Sequence, residues 1–100
     1  MITVLIKRPH EEAEPVAIAG ADELSELVGG DYDVVRDDRL PGFSLIVNEE
    51  ARGIEANNFP VTTDGYLDWV YGTCVFVKED GTSLTEEDVE TVRRYLAAKS

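Results

Sequence analysis

A chain of 100 residues, 43% of them apolar, has the length and composition of one domain with its own hydrophobic core. Its 21 acidic against 9 basic residues give a formal charge of −12, which disfavours direct contact with nucleic-acid phosphates and favours partners with basic surfaces. The apolar runs are too short to span a bilayer, MITVLIKRPH lacks the features of a secretory signal, and the lone Cys74 excludes an internal disulfide or a multi-cysteine metal site, so a cytoplasmic protein off the membrane is expected.

Along the chain, the β-branched run Ile2-Thr3-Val4-Leu5-Ile6 and the run Pro15-Val16-Ala17-Ile18 predict a hairpin with a long polar loop, HEEAE, between its strands. Pro9 and Pro15 bracket that loop, which places it at a sheet edge. Asp22 to Val28 predicts a short helix, with acids in its first turn, Leu24, Leu27 and Val28 at helical spacing, and Gly29-Gly30 as its stop. Asp31 to Arg36 predicts a half-exposed strand. After the Asp37-Asp38 turn and the Leu40-Pro41-Gly42 break, Phe43 to Val47 predicts the next.

Beyond a turn at Thr62-Thr63-Asp64-Gly65, residues 66 to 77 are strand-rich, and Thr73 to Val77, apolar on both faces, predicts a central strand. Gly72 within this run marks a bulge or a close backbone approach. Thr85 opens a capping box with Asp88, Leu84 and Val89 stand at the positions of a hydrophobic staple, and Val89, Val92 and Leu96 continue an apolar stripe, so a C-terminal helix follows. The order predicts an α+β fold: a small mixed or antiparallel sheet with one short and one longer C-terminal helix, both on one face of the sheet. A β-grasp-like arrangement, which also opens with a hairpin and a helix, fits this order.

The chemistry-bearing residues are sparse. His10 beside three carboxylates lacks the second His or Cys that a transition-metal site needs, and Cys74 lies in the most apolar run, where cysteine is usually a small core residue. Phosphate-binding glycine loops, nucleophile elbows and metalloprotease motifs are absent from the sequence, so no catalytic residue, metal ligand or cofactor is assigned. Trp69 and Tyr71 share a strand face, with Tyr66 and Phe59 close in sequence. The core is the favoured place for these aromatics, and a stacking wall for a base is the alternative.

Four strings in order, ELVGGDYDVV, IVNEEARGIEANN, GTCVFV and SLTEEDVE, resemble a phage and mobile-element family known as domain of unknown function 3846. The resemblance runs from about Asp22 to Val92. It implies a bacterial or phage setting and brings no catalytic residue. Asn48, Glu49, Gly53 and Asn57 match the family's N-E-x-x-x-G-x-x-x-N loop, while Glu50-Ala51-Arg52 departs from the glycine and lysine more usual there.

The stretch NEEARGIEANNFP, residues 48 to 60, is therefore the candidate site, with Asn48, Glu49, Arg52, Asn57 and Asn58 facing a partner or ligand. In the competing reading it is a plain loop whose asparagines satisfy backbone groups and whose Arg52 pairs with Glu49, Glu50 or Glu55. The expected function is that of a non-enzymatic acidic interaction protein acting on host machinery or defence in a phage-like setting. A small-ligand or nucleotide-binding domain using the 48 to 58 loop is the alternative. DNA mimicry, a special case of the first, requires the acids to crowd onto one half of the surface, because even spreading leaves them too dilute.

Overall fold

The computed structural model of the chain describes residues 1–99. Strand β1 (Ile2–Lys7) pairs antiparallel with β2 (Glu14–Ile18), bringing Leu5 opposite Pro15. A single 3-10 turn, Ala21–Glu23, leads into helix α1 (Leu24–Val28), which Gly29 ends in the left-handed conformation at φ 87°. Strands β3 (Tyr32–Val35), β4 (Phe43–Asn48), β5 (Asn57–Thr63), β6 (Tyr66–Tyr71) and β7 (Cys74–Lys78) follow, and helix α2 (Glu86–Ala97) closes the series.

Five strands form one sheet in the order β2-β1-β7-β4-β3, and every neighbouring pair in it is antiparallel. The expected central strand is indeed central: Cys74, Val75 and Phe76 of β7 are fully buried. Pro15 lies on the edge strand β2, where a missing backbone donor costs no ladder bond. The hairpin-then-helix opening is the part of the β-grasp comparison that recurs here.

Period-two alternation sends side chains of the same strands into two cores. Leu5, Leu45, Cys74 and Phe76 face Phe59, Val61, Val70, Val92 and Tyr95, whereas Val4, Ile6, Ile46 and Val75 face Leu24 and Val28. The expectation of both helices on one face is corrected, since α1 covers one face and α2 the other. The physical reason lies in residues 57 to 71. They form a separate antiparallel hairpin of β5 and β6, whose inner residues Phe59, Val61 and Val70 share the second face with α2. Phe59 stacks on Phe76 at 5.7 Å, and Tyr95 meets both rings edge-on at 6.1 and 6.0 Å.

Two turns fix the hairpin. Asp64 and Gly65 both have positive φ, 50° and 82°, as a tight type I′ turn requires. The Asp38 carboxylate accepts from both of their amides at 2.9 Å and anchors the tip. At the other end Gly72, with φ 70°, separates β6 from β7, so the strand-rich run 66 to 77 is two strands. Gly72 is a close approach: a Cβ there would stand 2.6 Å from Glu55 Oε2.

One buried acid ties α2 to the rest. Asp37, 3% exposed, accepts from the Tyr95 hydroxyl at 2.5 Å, from the Arg39 amide at 3.0 Å and from Lys99 Nζ at 2.9 Å. Burial alone pushes the Asp37 carboxyl upward. The hydrogen bonds from Tyr95, Arg39 and Lys99 outweigh that and hold it below the ordinary carboxylate value. Among the described residues no helix is long and apolar enough to cross a membrane.

Candidate functional site

The segment between β4 and β5 folds as successive turns around Ala51, which is 2% exposed and whose carbonyl accepts from the amides of Ile54 and Glu55. Asn48 starts it. Its Oδ1 accepts from the Glu50 amide at 2.9 Å and its Nδ2 donates to the Val28 carbonyl at 3.2 Å, joining the loop to the end of α1. Gly53, at φ 78°, lets the chain reverse beyond Arg52. The Glu49 side chain is exposed, while its amide donates to the Asp31 carbonyl at 3.0 Å.

Arg52 reaches across to β6 rather than to a neighbour in its own loop. Its Nη2 donates to both Asp68 oxygens, at 2.8 and 2.7 Å, and its guanidinium carbon lies 5.2 Å from the centre of the Tyr71 ring. The pairing with Glu49, Glu50 or Glu55 is therefore replaced by one with Asp68, sixteen residues away in sequence. The hydrogen bond to Asp68, reinforced by its charge, raises the Arg52 guanidinium above its ordinary value. Asp68 is correspondingly lowered, first by Arg52 and then by the Trp69 amide.

Asn57 and Asn58, expected in the loop, begin β5. Asn57 is exposed beside a break in the β5–β6 register. Asn58 is a joint between elements: its Nδ2 donates to the Lys7 carbonyl at 2.8 Å and the Gly72 carbonyl at 2.9 Å, and its Oδ1 accepts from Lys7 Nζ at 2.9 Å.

The five candidate residues do not converge. Asn48, Glu49 and Arg52 line a shallow cleft of about 160 Å³ with Asp33, Asp68 and Val61. Asn58 lines a different and larger cleft of about 660 Å³, between the C-terminal half of α2, the 10–13 loop and the start of β5. That cleft collects Lys7, Arg93 and Lys99, three residues to which the sequence attached no binding role. Tyr95 has a visible signal, since it completes a helical stripe with Val92 and Leu96. Lys7 and Asp37 have none, because their partners lie 51 and 58 residues away.

The outer face of the β5–β6 hairpin is the other feature without an internal partner. Leu67 faces Thr62 and Trp69 faces Pro60 across the hairpin, so both side chains lie on one face, opposite to the buried Val61 and Val70. Leu67 is 72% exposed, Trp69 42% and Tyr66, beside the tip, 80%. The core placement favoured for the aromatics holds for Phe59 and fails for Trp69, which points to the outer face, and for Tyr66, which stands next to the turn at the hairpin tip, beyond the buried Val61 and Val70.

The family model described as "Domain of unknown function (DUF3846)" matches residues 2–97. The chain belongs to this family. The DUF3846 match extends the resemblance seen in four strings across β1, β2 and the rest of α2, and takes in both clefts and the hairpin, with Lys99 just outside it. No curated protein and no solved structure matches the chain.

Proposed function

We propose that this domain is a non-enzymatic interaction protein that docks a protein of basic surface through the outer face of the β5–β6 hairpin. The setting that the sequence resemblance implies is a phage or mobile element in the bacterial cytoplasm, with host machinery or defence as the target. The observation that carries this reading is the pair Leu67 and Trp69, exposed side by side on a hairpin whose tip is pinned by Asp38. Covering the exposed parts of these two side chains contributes roughly 5 kcal/mol before the costs of association. Asp64, at the hairpin tip two residues before Tyr66, is exposed, and with the overall charge of −12 it favours a partner with lysine or arginine at its rim. The tip is held by hydrogen bonds from its own chain, so little ordering opposes binding.

A small-ligand site on the 48 to 58 loop has weaker support. Its cleft of about 160 Å³ is below the ~300 Å³ at which small-molecule pockets begin, and Arg52 Nη2 is committed to Asp68.

The test is affinity capture from bacterial lysate with the wild type and with a Leu67→Ser, Trp69→Ser double variant, followed by association kinetics on purified partners. A basic protein retained by the wild type and lost by the variant, at unchanged melting temperature, is the expected result. Equal retention by both proteins removes the hairpin face from consideration.

A further inference from the structure

The 660 Å³ cleft is far less acidic than the chain around it. Lys7, Arg93 and Lys99 line it with Glu11 and Glu12; Asp37 neutralises Lys99, which leaves two cations and two carboxylates at the cleft in a protein of formal charge −12. Among the described residues, six of the nine basic side chains, Arg8, Arg36, Arg52, Lys78, Arg94 and Lys99, pair with a carboxylate. Lys7, Arg39 and Arg93 do not, and two of those three line this cleft. With 21 carboxylates on so small a molecule, two cations without ion pairs at one concavity need a reason.

Neutral acceptors hold both of them. Lys7 Nζ donates to the Arg8 carbonyl at 2.7 Å and to Asn58 Oδ1 at 2.9 Å, which occupies two of the three ammonium protons and neutralises none of the charge. Arg93 Nη2 donates to the Ala13 carbonyl at 3.3 Å, leaving most of its five N–H groups for other acceptors. Lys99 is fixed on the buried Asp37, and its Nζ lies 4.7 Å from the centre of the Tyr95 ring. Burial lowers the Lys7 ammonium from its ordinary value, an unfavourable environment that an incoming anion relieves. Ala13, Phe59 and Leu96 supply an apolar wall, and the volume falls within the range of small-molecule sites.

We infer that this cleft binds a small organic anion, one oxyanion head group on a compact apolar body, with Lys7 and Arg93 receiving the head group and the Phe59–Leu96 wall receiving the body. Phosphate and carboxylate share this chemistry, and Arg93 offers either a planar fork of donors. Glu11, whose charge favours the Lys7 ammonium, is the internal competitor of the ligand. The site is separate from the hairpin face, so each stands or falls without the other.

The experiment is a titration of the isotope-labelled full chain with phenyl phosphate, with benzoate and with benzylamine, followed by backbone amide shifts. Saturable shifts confined to residues 7–13, 58–59 and 93–99 are expected with at least one anion and none with the amine; comparison of the two anions assigns the head group. Arg93→Gln, at an exposed helix position, is expected to weaken binding about tenfold or more, the loss of one charge-assisted contact. Lys7→Gln is expected to do the same, and Glu11→Gln to tighten binding. Absence of saturation by either anion up to ~10 mM, shifts that map elsewhere, or undiminished binding in Arg93→Gln overturns the proposal.

Discussion

At the residue scale, two side chains of the candidate loop that look equivalent in sequence have different work. Asn58 makes three hydrogen bonds that join β1, β5 and the Gly72 turn, whereas Arg52 makes an exposed ion pair with Asp68. Truncating Asn58 removes the side-chain donor to two carbonyls and one of the two acceptors of the Lys7 ammonium, so Asn58→Ala is expected to lower stability by about 2 kcal/mol or more in urea unfolding. Arg52→Ala, at a solvent-screened pair, is expected to leave the urea midpoint nearly unchanged. Equal losses for the two would remove this distinction. Asp37 makes a second prediction. Its folded value lies below the unfolded 3.8, so its contribution to stability is complete above that value and is lost as pH falls through the depressed one. Tyr95→Phe removes a donor that depresses it, and the variant's stability deficit is expected to shrink as pH falls through this window, as measured by unfolding at several pH values.

Element by element, the outcome follows how local each signal is. Thr85 caps α2 as its sequence predicts: its hydroxyl accepts from the Asp88 amide at 3.1 Å, and Asp88 Oδ2 accepts from the Thr85 amide at 2.9 Å. The same Asp88 carboxylate accepts from Lys78 Nζ at 3.2 Å, so the cap also fastens α2 to β7. Thr85→Ala is expected to cost about 1 kcal/mol while leaving the fold intact, and an unchanged melting temperature would place the cap elsewhere. Gly29 and Asp64-Gly65 were legible for the same reason, since a left-handed backbone conformation selects residue types at the position itself. The partition of residues 57 to 77 into a separate hairpin and a central strand was not. Both pieces have the same β-branched, aromatic composition, and only their partners distinguish them.

For the molecule as a whole, acid surrounds the fold. Glu14 lies on the edge strand β2 and Asp33 on the opposite edge strand β3, Glu26 is on α1, and Glu86, Glu87 and Glu90 are on α2 across the sheet. With the buried Asp37 set aside, the surface of 5948 Å² carries one of the remaining carboxylates per about 300 Å², against roughly one charge per 110 Å² on duplex DNA. Acids on both faces and both edges do not supply the one-sided density that DNA mimicry needs. A field of this kind acts on encounter rate. Association with a basic partner is expected to be faster at 0.01 M salt, where the screening length is about 30 Å, than at physiological strength, where it is about 8 Å. An on-rate indifferent to salt would leave the apolar hairpin face as the whole basis of recognition.

The sequence by itself determined the types of the elements other than β5, which it read as loop and turn, and with them the Asp64-Gly65 turn, the cap of α2, the charge and the family resemblance, because each depends on residues within a few positions of one another. Tertiary structure decided which face each helix covers, that Arg52 pairs with Asp68 and that Asn58 is a joint. It also decided that Lys7 and Arg93, neither ion-paired among the described residues, line one cleft. Those outcomes depend on contacts across sixteen to eighty residues. At such separations the partner of a charge is selected by packing geometry, and in a chain with 21 carboxylates composition offers every arginine many equivalent choices.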